Sequence, residues 1–463
     1  MNVTSYKLYY FLGIGGIGMS ALARYFKHYG KAVAGYDKTQ TTLTTKLSEE
    51  GIMCHFTEDV DALQSLFSHY GKEEIMVVYT PAVPKEHKEY LYVLEHGYLL
   101  MKRSQVLGEI TRQFKTIAIA GTHGKTTTTT LVTHILRVAG VNCFSFMGGI
   151  SKNYDTNLLL GDVSDKGAYV VVEADEYDRS FLTLEPYIAL ITSVDADHLD
   201  IYGDDSQVKE GYTLFAKKLR KDGVLVVKKN VDNELSLDIK RLIYSLNLDT
   251  EYCAKSVRIE NAQFIYDVES PVEPLSSVTL GLPGLHNVEN SVAAVAIAQQ
   301  LGIKADIIKT ALRSFMGVKR RFDYRVKSSS RIYIDDYAHH PEELKATIAS
   351  ARALYPGKKI TGIFQPHLFS RTRDFAEGFA RSLAMLDECI LLEIYPAREK
   401  PIEGVTSSWL LDMVKIENKK LLTKQGVLDE INMQPREVIL TMGAGDIDTL
   451  VEPLEKIITA QTN

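Results

Sequence analysis

Hydrophobic positions along the chain form short apolar runs that alternate with stretches of helical spacing. Residues 7–14 are an apolar and aromatic run that predicts a buried strand, a glycine-rich turn follows, and residues 19–28 have helical periodicity. The alternation continues with a predicted strand at 31–36, a helix at 42–50 and a strand at 74–79. Strands that alternate with helices in this way predict a parallel sheet covered by helices.

Two further α/β units begin later in the chain. A strand at 115–120 leads through a second glycine-rich turn into a helix, and a strand at 331–335 precedes a helix at 341–353. Additional strands are predicted at 168–172, 188–193, 359–364, 388–394 and 437–442. We therefore predict an α/β protein of three consecutive domains with mainly parallel sheets, at residues 1–110 (Rossmann-like), 111–318 (P-loop ATPase) and 319–463 (Rossmann-like).

Length and composition agree with this organisation and restrict the partners. The chain has 463 residues, which allows three domains at about 150 residues each. The net charge is −6, so the chain as a whole lacks the positive field that is typical of a nucleic-acid-binding protein. Cys54, Cys143, Cys253 and Cys389 are too widely spaced to predict a disulfide framework or a zinc site. We find neither a basic leader nor an apolar run of about 18 residues, so we expect a cytoplasmic protein without membrane insertion.

The first glycine-rich turn predicts a phosphate site. Gly13, Gly15 and Gly18 form a GxGxxG pattern, with Gly16 beside them, between a strand and a helix. Backbone N–H groups and the helix N-terminus approach a diphosphate in such a turn. Asp37 ends the second predicted strand, which is the position of a ribose-binding acid. A tight turn without a ligand is the alternative, and the pattern alone does not separate a nicotinamide dinucleotide from a sugar nucleotide.

The second glycine-rich turn predicts a nucleoside triphosphate site. It reads Gly121-Thr122-His123-Gly124-Lys125-Thr126, and Thr127 follows in the helix. Backbone amides would surround the phosphates, Lys125 would neutralise the β/γ charge from an exposed loop, and the Thr126 hydroxyl would bind magnesium. The loop is shorter than a strict Walker A motif, because Ile119 stands where its first glycine is expected. A chance Gly-Lys-Thr in a polar loop is the alternative.

Polar clusters also follow four later strands, at the edge where open α/β sheets bind ligands. They are Glu173-Ala-Asp175-Glu176-Tyr177-Asp178, Asp195-Ala-Asp197-His198-Leu-Asp200, Asp335-Asp336-Tyr337-Ala338-His339-His340 and Gln365-Pro-His367-Leu368-Phe-Ser-Arg371-Thr-Arg373-Asp374. One acid of the first cluster would complete a magnesium shell, and a solvated loop is the alternative for Asp175 and Glu176. Arg371 or Arg373 would bind a carboxylate or phosphate, or form an ordinary helix-start pair with Asp374. The last two clusters are expected to line a cleft that faces the P-loop domain.

A fifth cluster, His286-Asn287-Val-Glu289-Asn290, precedes a small apolar helix predicted at 291–298. Asn amides in such a turn would read an adenine edge or a ribose. Helix capping is the alternative, and the residues leave both roles open.

Taken in order, these motifs resemble those of the Mur ligase family, and most of all its alanine-adding branch. The resemblance covers the whole chain: FLGIGGIGMSALA at 11–23, GTHGKTTTT at 121–129, EADEYDRSF from 173, DADHLDIYG from 195, GLHNVENSVAA from 284, RRF from 320, DDYAHHP from 335 and FQPH…SRTRD from 364. It implies an ATP-dependent amide-forming ligase of peptidoglycan precursor synthesis. Such an enzyme joins L-alanine to the lactyl carboxylate of UDP-N-acetylmuramate through an acyl phosphate and releases ADP and phosphate. ATP as co-substrate, Mg²⁺, and a monomer or weak homodimer are implied as well.

The resemblance also implies roles for individual residues. The first domain would bind the UDP-sugar, the second ATP and the third the amino acid. The implied UDP-sugar residues are Gly13, Gly15, Gly16, Gly18, Asp37, Thr80, Ala82 and Arg103. The implied nucleotide residues are Gly121, Thr122, His123, Gly124, Lys125, Thr126, Thr127, Asn287, Asn290, Arg321 and Asp336, with His286 nearby. The implied acceptor residues are Tyr337, His339 and Arg371, the metal ligands Thr126, Glu173 and His198, and the catalytic residues Lys125, Glu173, His198, His339 and Arg371.

Two positions depart from the family pattern. Leu368 stands where an Arg is common, so carboxylate recognition would depend on Arg371. Tyr212 aligns roughly with a lysine that some members carbamylate, so no carbamylated lysine is predicted. Three alternatives stay open: a murein-tripeptide recycling ligase that uses the same UDP-sugar, a P-loop nucleotide switch, and a nicotinamide oxidoreductase.

Overall fold

The structure is a computed structural model that describes residues 2–165, 167–195, 204–235, 237–397 and 399–462. The strands are β1 Leu8–Leu12, β2 Ala32–Tyr36, β3 Met53–His55, β4 Ile75–Tyr79, β5 Leu99–Lys102, β6 Lys115–Ala120, β7 Cys143–Ser151, β8 Thr156–Leu159, β9 Tyr169–Glu173, β10 Ile188–Ile191, β11 Val224–Lys228, β12 Arg241–Leu246, β13 Tyr252–Glu260, β14 Gln263–Glu269, β15 Leu275–Leu280, β16 Asp323–Lys327, β17 Ile332–Asp336, β18 Ile360–Phe364, β19 Glu388–Leu391, β20 Lys419–Leu421 and β21 Val438–Met442.

The helices alternate with these strands over most of the chain. They are α1 Ile17–His28, α2 Thr42–Glu49, α3 Val60–Phe67, α4 Lys88–Glu95, α5 Arg103–Thr111, α6 Lys125–Val138, α7 Asp205–Ala216, α8 Lys229–Glu234, α9 Leu285–Gln300, α10 Ala305–Ser314, α11 Pro341–Leu354, α12 Phe369–Asp374, α13 Ala376–Leu383, α14 Ser407–Met413, α15 Lys424–Met433 and α16 Val451–Ala460. No helix within the described ranges is both long and apolar enough to cross a membrane. The chain divides into two compact units, and the first contains residues 1–253, 268–275 and 290–311.

Two sheets form the framework of the first unit. One has five parallel strands in the order β3-β2-β1-β4-β5. The other includes β12-β11-β10-β6-β9-β7-β8 in that order, parallel except for the antiparallel pair of β7 and β8. All five residues of β1 are buried, as expected for a parallel strand covered on both faces. This order brings the ends of β1, β6, β9 and β10 to the edges where the predicted clusters lie.

Helix α1 packs the first sheet against the second within this unit. Tyr25 of α1 lies 5.7 Å from Phe146 of β7 between ring centroids. The buried Asn157 side chain of β8 donates hydrogen bonds to the Ile17 carbonyl (2.6 Å) and to Ser20 Oγ (3.0 Å). Because these contacts hold the first turn of α1, the glycine-rich turn before it is fixed relative to the second sheet.

The second unit contains residues 254–267, 276–289 and 312–463. Its six-stranded sheet has the order β16-β17-β21-β18-β19-β20, in which only the edge pair of β16 and β17 is antiparallel. Buried aliphatic side chains such as Ile363, Ile390 and Leu454 fill one side of this sheet. The predicted α/β class with mainly parallel sheets is therefore confirmed, while the three domain boundaries stay a prediction.

Several elements lie outside the sequence-based prediction. Strands β12 to β15 and the hairpin of β7 and β8 were not expected. Strand β15 shows the reason, because its burial pattern alternates between buried and exposed positions and its sequence, LSSVTL, is partly polar. A strand with exposed positions of this kind lacks the continuous apolar run of a strand that is buried on both faces.

Candidate active site

Two glycines shape the P-loop between β6 and α6. Gly121 has φ +133°, and a Cβ there would lie 2.0 Å from Thr192 Oγ1. Gly124 has φ +83°, and its Cβ would lie 2.8 Å from Asn290 Oδ1. Both positions therefore require glycine for backbone conformation and for space. The predicted nucleotide residue Asn290 is brought to this loop by α9.

Lys125 was expected to be exposed, but its side chain is largely buried. Its Nζ donates hydrogen bonds to the Gly121 carbonyl (2.6 Å) and to Glu176 Oε1 (2.8 Å). The two charged side chains are only 13% and 4% exposed. Burial acts to lower the pKa of Lys125, but nearby carboxylates, Glu176 foremost, outweigh it and raise the pKa. Lys125, the cation that we expect to bind phosphate, is therefore ionised in this structure. Its partner is the Glu176 carboxylate.

Thr126 and Glu173 form the oxygen-rich part of the site. Thr126 Oγ1 donates to Glu173 Oε1 at 3.2 Å. Gly148 of β7 admits the Glu173 carboxylate, because a Cβ at Gly148 would lie 1.9 Å from Glu173 Oε2. A hydroxyl and a carboxylate are hard oxygen donors, so this pair fits a magnesium ion that takes its other ligands from phosphate and water.

The predicted third metal ligand, His198, lies outside the described residues, as do Asp197 and Asp200. Among the residues that the structure describes, no group of three or more His, Cys, Asp or Glu side chains is placed to hold a metal ion. The predicted ligand set therefore stays a prediction.

The end of β10 supports the rest of the P-loop. Thr122 Oγ1 donates to the Asp195 carbonyl (2.9 Å), and the His123 backbone N–H donates to Ser193 Oγ (2.8 Å). His123 Nε2 lies 3.6 Å from Asp195 Oδ2. Thr127 is buried in the first turn of α6. These contacts attach the P-loop to the end of β10.

The predicted UDP-sugar residues gather at the first glycine-rich turn. Gly15 N–H donates to Asp37 Oδ2 at 2.8 Å, so the predicted ribose acid holds the turn itself. At Gly13, which has φ +89°, a Cβ would lie 2.6 Å from Thr80 Cγ2. At Gly18 a Cβ would lie 3.0 Å from Arg103 Nη1.

Two of the remaining UDP-sugar candidates differ in their surroundings. Gly16 is the N-cap of α1 and so belongs to the turn. Ala82 is exposed beyond the end of β4. The structure thus brings the glycines, Thr80 and Arg103 together. Ala82 lies in the turn that the Val83 N–H closes on the Thr80 carbonyl at 3.1 Å, and its predicted role stays a prediction.

The second unit contains the acceptor candidates and two predicted nucleotide residues, Asp336 and Arg321. The Asp336 carboxylate accepts N–H groups of Phe322 (2.6 Å) and Ala338 (2.8 Å). Burial raises the pKa of Asp336 to about 6, although the nearby Arg321 charge opposes the shift. Asp336 therefore organises the backbone of two loops. The Arg321 guanidinium lies 5.1 Å from the Tyr337 ring centroid, within the range of a cation–π contact.

His339 is held by a residue that the sequence analysis did not select. Its Nδ1 lies 3.0 Å from the Tyr337 carbonyl and 3.2 Å from Glu343 Oε2, which leaves Nε2 as the acceptor atom of the ring. Burial lowers the pKa of His339 to about 4, so the ring is neutral at pH 7. Glu343 lies four residues after His339, in the first turn of α11, and this spacing is the signal that would have identified it.

Residues 286 and 287 lie in the first turn of α9, which begins at Leu285, earlier than the predicted helix. Asn287 Nδ2 donates to the Pro283 carbonyl at 2.7 Å. Burial lowers the pKa of His286 to about 4. Asn287 therefore contacts the backbone just before the helix, and its predicted nucleotide role stays a prediction.

Arg371 lies in α12, whose N-cap is Leu368, with φ +69°. Burial is the main cause of the lowered pKa of His339, and the positive charge of Arg371 lowers that pKa further. The two candidates are therefore close enough to interact electrostatically. Arg373 instead contacts Asp374 at 2.7 Å, the structural pairing considered from the sequence. The predicted cleft between the second and third domains stays a prediction.

Comparisons with known proteins match successive parts of the chain to one family. Residues 8–115 match the model of the Mur ligase family catalytic domain, 119–298 the Mur ligase middle domain and 320–445 the Mur ligase glutamate ligase domain. The chain is 46% identical over 458 residues to a UDP-N-acetylmuramate–L-alanine ligase of Flavobacterium johnsoniae, covering 99% of both chains. It is 47% identical over 463 residues to the enzyme of that name from Parabacteroides distasonis, covering 100% of this chain and 99% of the relative.

Solved structures of similar proteins match the fold over nearly the whole chain. The crystal structure of UDP-N-acetylmuramate-alanine ligase MurC from Thermotoga maritima matches with a TM-score of 0.81 and 26% identity, over 98% of this chain and 99% of that one. A murein peptide ligase from Psychrobacter arcticus matches with a TM-score of 0.70 and 22% identity, over 98% of both chains, which shows the shared fold.

Proposed function

The chain belongs to the Mur ligase family, and from this premise we propose that it joins L-alanine to UDP-N-acetylmuramate with ATP, releasing ADP and phosphate. The observation that carries the proposal is the 46% identity to a UDP-N-acetylmuramate–L-alanine ligase over 99% of both chains. Similarity of that extent includes all three domains that the reaction requires.

The reaction explains why the candidate residues have these chemical types. A carboxylate is a poor acylating agent, so its oxygen first attacks the γ-phosphorus of ATP, giving an acyl phosphate and ADP. The amine of L-alanine then attacks the acyl carbon, the amide bond forms and phosphate leaves. No nucleophile of the protein is needed. The protein has to hold two negatively charged groups together and exclude water from the acyl phosphate.

Lys125 is the proposed partner of the transferred phosphate. In the structure its charge is balanced by Glu176 at 2.7 Å, so ATP binding would exchange one anionic partner for another. Thr126 and Glu173 would hold a magnesium ion, and a bound ion would supply positive charge beside the phosphates. His198 is proposed as a further ligand on the basis of family resemblance.

The acceptor residues are proposed for the second unit. Arg371 would bind the carboxylate of L-alanine, because a guanidinium pairs with a carboxylate in two parallel hydrogen bonds. His339 is neutral at pH 7, because burial lowers its pKa to about 4. Its Nε2 would accept a proton from the attacking amine, while Tyr337 and Glu343 fix the ring through Nδ1.

One experiment tests the proposal against its closest rival. Phosphate release from ATP is measured with UDP-N-acetylmuramate and either single amino acids or the murein tripeptide. We expect release with L-alanine and not with the tripeptide. Release only with the tripeptide would assign a recycling ligase, and release that needs no amine would favour a nucleotide switch. The same screen compares L-alanine with serine and glycine.

Location and assembly complete the proposal. ATP and a nucleotide sugar are the substrates, which supports a cytoplasmic location. A monomer or weak homodimer stays our prediction, and sedimentation at micromolar concentration measures it.

A further inference from the structure

The acidic segment after β9 contacts two different sites. Glu173 and Glu176 contact Thr126 and Lys125 of the P-loop. The two other acids of the segment contact the first domain instead. Asp175 Oδ2 lies 3.4 Å from Arg103 Nη2, and Asp178 Oδ2 lies 2.7 Å from Lys102 Nζ.

Arg103 occupies a specific place beside the first glycine-rich turn. It begins α5 and packs on Gly18, where a Cβ would lie 3.0 Å from Nη1 and 3.1 Å from Cδ. Gly18 is in the first turn of α1, so a guanidinium lies beside a helix N-terminus that follows a GxGxxG turn. Both features attract a diphosphate.

Asp175 is itself rigidly anchored. Its Oδ1 accepts the Tyr177 N–H at 3.1 Å, and its carbonyl accepts the Phe181 N–H at 2.9 Å. The Phe181 ring is buried and stacks on Phe215 with 5.1 Å between centroids. The backbone that carries Asp175 is therefore held next to the buried Phe181, and the partly exposed carboxylate presents Oδ2 to Arg103. Among the residues that the structure describes, Asp175 is the acid that pairs with this guanidinium, through Nη2, so other N–H groups of Arg103 can bind a ligand.

We propose that Asp175 is a positioning residue for the UDP-sugar: from the ATP-binding domain it holds the Arg103 guanidinium against Gly18. The inference rests on the proposed function, because it takes the diphosphate of the sugar nucleotide as the ligand of Arg103. It means that the sugar-nucleotide site is completed by the neighbouring domain.

The sign of the effect separates positioning from simple electrostatics. Asp175 is an anion close to a predicted anion site, so its charge alone repels a diphosphate. If charge dominated, Asp175→Asn would tighten binding of the UDP-sugar. If positioning dominates, the same substitution weakens binding, because the guanidinium loses its fixed orientation.

The experiment measures Kd for UDP by calorimetry and the KM values for UDP-N-acetylmuramate and ATP. For Asp175→Asn we expect Kd and the UDP-sugar KM to rise about 5–20-fold, with the ATP KM unchanged within about twofold. The matched control is Glu185→Gln, which removes the 3.3 Å ion pair with Arg112 beyond the other end of α5. We expect that control to behave as wild type.

A double-mutant cycle distinguishes positioning from a general structural role. In an Arg103→Ala background, Asp175→Asn should have no further effect on UDP binding. The inference is overturned if Asp175→Asn leaves Kd unchanged or lowers it, if the ATP KM rises in parallel, or if the effect persists without Arg103. It is also overturned if UDP does not bind the wild type. Should UDP bind while UDP-N-acetylmuramate supports no turnover, the proposed function fails and the positioning effect is still measured.

Discussion

Glu176→Gln tests the conclusion that Lys125 is held by a buried carboxylate before ATP binds. The substitution keeps the size of the side chain and removes its negative charge. Lys125 would retain the Gly121 carbonyl at 2.6 Å but would lose its ionic partner at 2.7 Å. A buried cation that loses its closest opposite charge destabilises the folded state, although Glu173 and Asp175 remain nearby.

The size of the effect follows from burial. Removing one partner of a buried ion pair costs about 3–5 kcal/mol. Because the amide still offers an acceptor to Lys125, we expect a loss at or below the low end of that range, about 2–3 kcal/mol. For a domain of this size, that loss corresponds to a fall in melting temperature of about 4–12 °C. Bound ADP supplies negative charge to Lys125, so the fall should be much smaller in its presence.

Thermal melting with and without ADP and Mg²⁺ measures both parts of this prediction. The matched control is Asp175→Asn, at the next residue, whose side chain is 39% exposed. We expect that control to change stability by less than about 0.5 kcal/mol. The reasoning is refuted if Glu176→Gln melts like wild type, or if its melting temperature falls equally with and without ADP.

Four further predictions follow from the site. Lys125→Ala should lower kcat about 10²–10³-fold in a phosphate-release assay, and it should also lower stability because it leaves Glu176 buried without its cation; normal turnover would remove the P-loop assignment. Glu173→Ala should raise the magnesium concentration for half-maximal rate about tenfold or more, and an unchanged magnesium dependence would contradict the metal site. Arg371→Lys should raise the KM for L-alanine, a loss of about 1.5–3 kcal/mol, while the ATP and UDP-sugar KM values stay constant; a selective loss of ATP affinity would move Arg371 to the nucleotide. His286 and His339 have pKa values of about 4 when folded against about 6.5 unfolded, so the unfolded chain gains protons first as pH falls. Between pH 6.5 and 5 each should therefore cost about 1.6 kcal/mol of stability. Melting of His286→Gln at both pH values should show a shallower dependence, and an unaltered slope would contradict the burial argument.

Local patterns in the sequence were sufficient for the framework of the fold. The strand predicted at 115–120 is β6, Lys115–Ala120, and the helix predicted at 19–28 is α1 from Ile17 to His28. A parallel strand buried on both faces is a continuous apolar run, and a helix has its own period, so both can be recognised from neighbours in sequence. The glycine turns were recognisable for the same reason, because they stand directly between such elements.

Partners of charged side chains were decided by tertiary structure. Lys125 was expected to be exposed, yet it forms a largely buried ion pair with Glu176, which lies 51 residues later in the chain. Asp175 faces Arg103 across 72 residues, although its neighbour Glu176 faces the P-loop. Spacing along the chain contains no information on which acid of a cluster turns to which loop. That choice depends on the packing of β9 beside β6 and on the path of the segment that follows it.

The sequence by itself determined the order of the α/β elements, the positions of the two glycine-rich turns and the acidic and basic clusters at strand ends, because each is a property of residues close together in the chain. Only the tertiary structure decided which of those clusters meet. Gly148 makes room for Glu173 from another strand, and Asp37 holds the Gly15 amide from the end of β2. Burial then sets the charge states, since desolvation is the main cause of the shifted pKa values of His339 and Asp336.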